Sequence, residues 1–131
     1  MSRVYSPLSA MAISALTLPQ AVAALNVPLM EWVMENLCKN AIDAMSGSGE
    51  ITVTVSCVAG RAFVDVTDTG KGIAKARWNT VFTPGFTTKP RGWGLGLSLA
   101  KRIVEEFHKG RIYIKKSQPG VGTTFRIELK K

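Results

Sequence analysis

The chain has 131 residues, about one domain, and 46% of them are apolar, which is enough for one small buried core. This composition excludes a collagen-like, coiled-coil or wholly disordered chain. Seventeen Lys and Arg against nine Asp and Glu give a formal charge of +8, which favours anionic partners. No basic run is interleaved with stacking aromatics, so we expect no nucleic-acid binding.

Residues 1–28 match no motif, and we expect them to form a strand and linker segment ahead of a single domain at 29–131. Residues 8–29 are rich in apolar side chains, but polar residues and prolines leave no uninterrupted run of about 18 apolar residues. We therefore predict core strands and connections, with no membrane contact by this domain. A signal peptide is the less favoured alternative.

The two cysteines, Cys38 and Cys57, match no zinc or redox spacing. We interpret both as reduced and structural, which indicates a cytoplasmic setting, either of a free protein or of the cytosolic part of a membrane-bound one. Cys57 is predicted on the buried face of a strand, where a thiol packs as a small apolar group.

The first predicted helix covers Leu29–Met45, where apolar residues recur at helical spacing. Asn26 is its expected cap, and Pro28 suits a first helical turn. A hairpin of two strands follows, Ile51–Val58 and Ala62–Asp68, in which alternate apolar residues form the core face. The same alternation directs Asp68 inward.

The second half of the chain is predicted to contain two helices and another hairpin. Ala74–Val81 reads as a short helix, and Thr83–Gly96 as a loop rich in Gly, Pro and Thr. A helix over Leu95–Phe107 is expected to bury a stripe of Leu99, Ile103 and Phe107. Strands at Arg111–Lys116 and Thr123–Lys130, joined around Pro119-Gly120, complete an α+β two-layer sandwich with a mixed or antiparallel sheet backed by helices.

Three short segments carry residues suited to binding a nucleotide. Asn36 and Asn40 are four residues apart and share one face of the first helix. Two carboxamides beside an apolar stripe need polar partners, and a carboxamide oxygen is a plausible Mg²⁺ ligand.

In the second segment, Asp68 is an acceptor-only carboxylate suited to an amino group of a base, and Gly70 and Gly72 permit close approach of the backbone. An ordinary turn is the alternative there.

The third segment is a glycine-rich run that leads into a helix. Gly92, Gly94 and Gly96 expose backbone N–H groups near a positive helix end, as phosphate-binding loops do. The segment is neither a Rossmann fingerprint nor a Walker A loop. Hydroxyls and cations just ahead of it are suited to the terminal phosphates: Thr87, Thr88, Lys89 and Arg91.

Together these segments resemble the catalytic ATP-binding domain of bacterial sensor histidine kinases, in the superfamily of gyrase, the ninety-kilodalton heat-shock chaperones and mismatch-repair ATPases. The resemblance covers residues 29–130 or so. The matching segments, in the family's order, are the N box at Glu35–Met45, the G1 box at Asp68–Ile73, the F box at Val81–Lys89, the G2 box and its helix at Gly92–Gly110, and the G3 element at Gly120–Leu129.

The resemblance implies the Bergerat fold with a short ATP lid, and ATP and Mg²⁺ as cofactors. It implies that Asn40 ligates Mg²⁺, that Asn36 and Lys89 act at the phosphates, and that Asp68 binds the adenine amino group with Thr123 assisting through water. The full set of expected nucleotide contacts is Asn36, Asn40, Asp43, Asp68, Gly70, Gly72, Ile73, Thr88, Lys89, Arg91, Gly92, Gly94, Leu95, Gly96, Leu97 and Thr123.

The sequence departs from its relatives at two important positions. Hydrolytic members place a Glu four residues before the metal-binding Asn, and here that residue is Asn36, so water attack is disfavoured. Many histidine kinases have Lys three residues after the same Asn, and here it is Asp43, which leaves Lys89 and Arg91 to meet the phosphate charge.

The expected function is transfer of the γ-phosphoryl group of ATP to a histidine of a dimerisation domain outside this chain, with a response regulator as an indirect partner. The only histidine, His108, ends a predicted helix, and we assign it a structural role. Two alternatives are a stand-alone anti-sigma-type protein-serine kinase and a non-catalytic nucleotide-sensing module.

Overall fold

The computed structural model describes residues 2–5, 26–46, 48–84 and 96–130. Its five strands form one antiparallel sheet in the order β1-β2-β3-β5-β4. The strands are β1 at Ser2–Tyr5, β2 at Ile51–Val58, β3 at Arg61–Asp68, β4 at Arg111–Gln118 and β5 at Gly122–Lys130. The helices are α1 at Val27–Ala44 and α2 at Gly96–Arg102, which continues as a π-helical segment at Ile103–Phe107.

Helix α1 begins as the sequence predicts. The Asn26 side chain accepts a hydrogen bond from the Leu29 backbone N–H at 3.2 Å, and Pro28 lies in the first turn, where no intrahelical N–H is needed. The helix then runs across the inner face of the sheet. Its buried side chains are Met30, Val33, Met34, Leu37, Cys38 and Ala41.

The central strands supply the other half of the core. Along β3, the buried residues are Ala62, Val64, Val66 and Asp68, in strict alternation with less buried ones. Their neighbours on β5 are Leu129, Ile127, Phe125 and Thr123, and all four are buried as well. The apolar inner face of the sheet therefore ends in a polar pair, Asp68 and Thr123. The predicted inward orientation of Asp68 is confirmed.

The outer face of the same strands is polar and held by ion pairs. Arg126 donates two hydrogen bonds to the Asp65 carboxylate, at 2.7 and 2.9 Å. One row further along, the Thr67 and Thr124 hydroxyl oxygens lie 2.8 Å apart. The sheet is thus apolar on one face and polar on the other, which gives the two-layer α+β sandwich that the sequence predicts.

The predicted burial of Cys57 is wrong, because burial along β2 declines toward its second half. Burial along β2 is complete at Ile51 and Val53 but lost at Cys57, which is an exposed free thiol. Cys38 is buried and free, and burial together with nearby Glu35 raises the pKa of its thiol to about 11.

The predicted apolar stripe of the second helix is correct at Ile103, which packs against the core, and wrong at its other two residues. Leu99 is 39% exposed and Phe107 is 67% exposed, whereas the smaller residues Ser98 and Ala100 are buried. Small residues therefore form the buried face of α2 in place of the larger side chains. The π-helical segment changes the helical phase further, and Val104 is the large residue that becomes buried there.

Other boundaries differ by a few residues. The predicted helix at Ala74–Val81 consists of two 3₁₀ turns, Lys75–Arg77 and Thr80–Phe82. The loop tip at 85–95, which includes the proposed lid, lies outside the described residues. Within the described ranges, no helix combines the length and apolar character that crossing a membrane requires.

Candidate nucleotide-binding site

The candidate site is organised around a row of side chains that crosses the sheet at one end of its inner face. Asp68 on β3 is directly opposite Ile51 on β2 and Thr123 on β5, and Thr123 is opposite Ser117 on β4. Directly opposite residues of an antiparallel pair have Cβ atoms about 4.5–5.5 Å apart. Sheet register therefore places the Asp68 carboxylate beside the Thr123 hydroxyl, and that hydroxyl beside Ser117, where the apolar core ends.

Asp68 is a buried carboxylate whose neighbours only partly compensate for its lost hydration. Its side chain is 4% exposed, and one carboxylate oxygen accepts a hydrogen bond from the Gly70 N–H at 2.8 Å. Burial raises the pKa of Asp68, while the backbone N–H groups of Gly70 and Thr123 lower it in part. The charged form therefore gains more from an additional hydrogen-bond donor than an exposed carboxylate does.

Ser117 also belongs to this row, and the sequence patterns did not predict it as a site residue. Its hydroxyl accepts a hydrogen bond from the Ile73 N–H at 2.7 Å and lies 2.7 Å from the Thr123 hydroxyl and 3.1 Å from the Gly122 carbonyl. Simple alternation from Ile112 and Ile114 would direct Ser117 outward. A register shift between Ile114 and Lys116 reverses this, and nothing in the sequence signals that shift.

The loop after Asp68 is held tightly on both sides by the backbone. The Lys71 N–H donates to the Ala44 carbonyl at the end of α1 at 3.0 Å, and the Lys71 carbonyl accepts from the Gly120 N–H at 2.8 Å. A Cβ on Gly70 would lie 2.6 Å from the Ala44 carbonyl oxygen. A Cβ on Gly72, where φ is +76°, would collide with the Gln118 carbonyl. These glycines thus permit contact with the protein's own backbone, whereas the sequence suggested contact with a base.

The two asparagines of α1 lie side by side as predicted, and each is half-buried. The Asn36 amide nitrogen donates to the Trp32 carbonyl at 2.9 Å, which fixes the orientation of its carboxamide. A Cβ on Gly96 would lie 2.8 Å from the Asn36 side-chain oxygen, so the start of α2 packs directly against this residue. The structure therefore brings the predicted N-box and G2-box helices together at Asn36.

The remaining predicted contacts fall into two groups. Asp43 is exposed, and Ile73 and Leu97 are half-buried, with Ile73 next to the polar row through its bond to Ser117. Six others lie outside the described residues: Thr88, Lys89, Arg91, Gly92, Gly94 and Leu95.

His108 connects the ends of the two helices. Its Nε2 accepts a hydrogen bond from the Asn26 N–H at 3.0 Å, so the ring proton is on Nδ1, which lies 2.9 Å from the Ile103 carbonyl oxygen. Both ring nitrogens are thus used in packing contacts. This arrangement supports the structural role that the sequence suggested.

Comparison with known proteins identifies the family to which this arrangement belongs. A family model described as "Histidine kinase-, DNA gyrase B-, and HSP90-like ATPase" matches residues 26–131. The chain belongs to this ATPase family. The family resemblance inferred from the sequence motifs is therefore confirmed, and the polar row and the two asparagines belong to an ATPase domain.

Among curated proteins, this ATPase domain is similar to part of several sensor kinases. It is 46% identical over 97 residues to the sensor histidine kinase ZraS of Escherichia coli K12, which is 74% of this chain and 20% of that protein. It is 34% identical over 100 residues to sporulation kinase C of Bacillus subtilis, 76% of this chain and 23% of that protein. The chain spans about a fifth of these relatives.

Solved structures confirm the fold of the ATPase domain. The catalytic domain of histidine kinase ThkA superposes with a TM-score of 0.74 at 24% identity, covering 100% of this chain and 96% of that one. ThkA solved in complex with response regulator protein TrrA gives a TM-score of 0.68 at 30% identity, covering 81% of this chain and 29% of that one. The Bergerat fold predicted from the sequence is thus correct.

Gly72→Ala tests whether the loop depends on close backbone packing. Gly60 has a similar φ of +78° but has nothing within 4 Å of an added Cβ, so Gly60→Ala carries the conformational strain alone. We expect Gly72→Ala to lower the free energy of unfolding by about 1–3 kcal/mol more than Gly60→Ala does, because the Gln118 carbonyl must move. Urea denaturation of both variants measures this, and equal losses would contradict the packing argument.

Asp68→Asn tests the cost of burying the carboxylate. Because the folded pKa of Asp68 is raised, its contribution to stability is greatest below the unfolded pKa and is lost as pH rises through the folded value. The variant has no such loss, so its stability relative to the wild type should rise over the pH range that begins near 4, the ordinary pKa of an aspartate, by about 1.4 kcal/mol for each unit separating the two pKa values. Urea denaturation across this range decides it, and a difference that does not change with pH would refute the assignment.

Proposed function

We propose that this domain binds Mg·ATP and donates its γ-phosphoryl group to a histidine of a dimerisation domain outside the chain, in two-component signalling. The observation that carries the proposal is Asp68, a buried carboxylate with a raised pKa at the polar end of an otherwise apolar sheet face. Perturbed groups of this kind are concentrated at functional sites. Membership of the ATPase family makes a nucleotide the natural ligand.

The chemistry of the polar row fits the adenine base. A carboxylate accepts hydrogen bonds and donates none, and the 6-amino group of adenine is a donor. One oxygen of Asp68 already accepts from Gly70, and the carboxylate retains capacity for a further donor. In a buried site such a bond is strengthened by the low local dielectric. Thr123, opposite Asp68, lies within reach of the same group directly or through a water molecule.

The phosphates are proposed to lie along α1 and the start of α2. The Asn36 carboxamide is oriented by Trp32 and packs against Gly96, so it has a fixed position next to the proposed phosphate-binding segment. Asn40 is one helical turn further along the same face. Lys89 and Arg91 remain the proposed cations of the site.

The donor set around Asn40 fits Mg²⁺ bound mainly through the nucleotide. The described residues contain no group of three or more His, Cys, Asp or Glu able to hold a metal ion by themselves. Mg²⁺ commonly takes one or two protein oxygens, with phosphate and water oxygens completing its coordination, and Asn40 supplies one such oxygen. When bound, the ion neutralises charge on the β- and γ-phosphates.

Transfer to a protein histidine is favoured over hydrolysis because the helix lacks a base at the decisive position. Asn36 is a carboxamide, which cannot take a proton from water, and its nitrogen is already bonded to the Trp32 carbonyl. At this position helix α1 therefore helps to place the phosphates but supplies no group that activates water.

The partners and location are proposed from the relatives. The sensor histidine kinases that the chain resembles give the acceptor class, and the cytoplasm is the proposed location. A response regulator is proposed as an indirect partner, since the similar kinase ThkA has been solved in complex with response regulator protein TrrA.

Asn40→Ala is expected to abolish the Mg²⁺ dependence of ATP binding while leaving the fold intact. The reason is that the proposed protein ligand of the ion is removed, whereas the half-buried site tolerates a smaller side chain. Calorimetric titration with ATP, with and without Mg²⁺, measures this. The exposed neighbour on the same helix provides the control, since Lys39→Ala should retain the Mg²⁺ dependence. Survival of the Mg²⁺ enhancement in Asn40→Ala would assign the ion to another ligand.

The isolated chain is expected to bind ATP yet turn it over very slowly, because the proposed acceptor histidine lies in another domain and Asn36 cannot activate water. Addition of a sensor kinase dimerisation domain that carries its histidine should restore transfer. Incubation with γ-labelled ATP, followed by acid and base treatment of the labelled protein, identifies the acceptor. Rapid hydrolysis by the chain alone, or label on His108, would contradict the proposed roles.

A further inference from the structure

The hydrogen bonds around Ser117 have only one arrangement in which every close contact contains a proton. The Ser117 oxygen accepts from the Ile73 N–H, so its own single proton has two possible acceptors, the Gly122 carbonyl at 3.1 Å and the Thr123 hydroxyl at 2.7 Å. If the proton pointed to Thr123, the Ser117 and Gly122 oxygens would face each other as two acceptors. Donation to Gly122 avoids this repulsion.

The direction of the Thr123 proton follows from that choice. If the Ser117 hydroxyl donates to the Gly122 carbonyl, the hydrogen bond at 2.7 Å between the two hydroxyls must be donated by Thr123. The Thr123 proton therefore points to Ser117. Thr123 then presents only lone pairs on its other side. Since Asp68 lies directly opposite Thr123 on the neighbouring strand, the carboxylate and the hydroxyl form a wall that accepts hydrogen bonds and donates none.

We propose that Ser117 is a positioning residue for base selection: by holding the Thr123 proton away from the site, it makes the wall select a 6-amino purine over a 6-oxo purine. This inference rests on the proposed binding of ATP. An amino group donates to both acceptors, whereas a 6-oxo group places an acceptor against acceptors. A freely rotating Thr123 hydroxyl would weaken this selection, because it could turn its proton toward a 6-oxo group and leave Asp68 alone to disfavour that base.

The test is the ratio of the dissociation constants of ITP and ATP, since the two nucleotides share their sugar and phosphates. Ser117→Ala should lower this ratio about three- to tenfold, because the Thr123 hydroxyl becomes free to rotate. A change of this size corresponds to the net contribution of about one hydrogen bond to binding. Ser117→Thr keeps a hydroxyl and should retain the preference for ATP. Loss of stability alone would weaken both nucleotides and leave the ratio unchanged.

A matched control lies one row away on the opposite face of the sheet. Thr124 forms a similar hydroxyl contact, 2.8 Å to Thr67, so Thr124→Val removes a comparable bond without touching the site, and the ratio should not change. In a Thr123→Val background, Ser117→Ala should have no further effect on the ratio, because Ser117 is proposed to act only through Thr123.

An unchanged ratio in folded Ser117→Ala would overturn the proposal. If that variant does not fold, Ser117→Cys replaces it, since a thiol is a weak hydrogen-bonding group, and an unchanged ratio there has the same meaning. Failure of the wild-type protein to bind ATP would instead refute the proposed function. A wild type that binds ATP but does not prefer it to ITP would overturn the base selection alone.

Discussion

A single buried carboxylate at the end of an apolar sheet face is the constraint on which the rest of this domain depends. Asp68 lies on the inward side of β3 because of the same alternation that buries Val64 and Val66. Its position cannot change without shifting the whole strand, because a slip of one residue would turn every core side chain outward. The fold thus fixes a costly charge where a ligand with a hydrogen-bond donor can offset part of the cost.

The surrounding loops hold this carboxylate in place by contacts between backbone groups. The loop after Asp68 is bonded to the end of α1 through Lys71 and to the β4–β5 turn through Gly120. The start of α2 packs against Asn36, which joins the two helices of the proposed phosphate-binding end. A rigid framework of this kind reduces the entropy lost when a ligand is ordered, which is how preorganised sites gain affinity.

The parts that depend on local pattern could be predicted from the sequence, and those that depend on neighbours could not. The Asn26 cap and the inward orientation of Asp68 follow from spacing alone. The exposure of Cys57 and of Leu99 depends on which neighbouring elements cover each side chain, and the alternation within one segment does not report that. The role of Ser117 depends on a register shift in β4, which reverses the alternation that sequence reasoning assumes.

The affinity of ATP for Asp68→Asn tests the central claim most directly, with Asp65→Asn on the outer face of the same strand as the control. Asparagine preserves shape but loses the charge-assisted acceptor, so binding should weaken by roughly 1.5–3 kcal/mol. Asp65 is bonded to Arg126 on the opposite face, and its substitution should leave ATP affinity unchanged. Equal affinity of Asp68→Asn and the wild type, measured by calorimetry, would contradict the account.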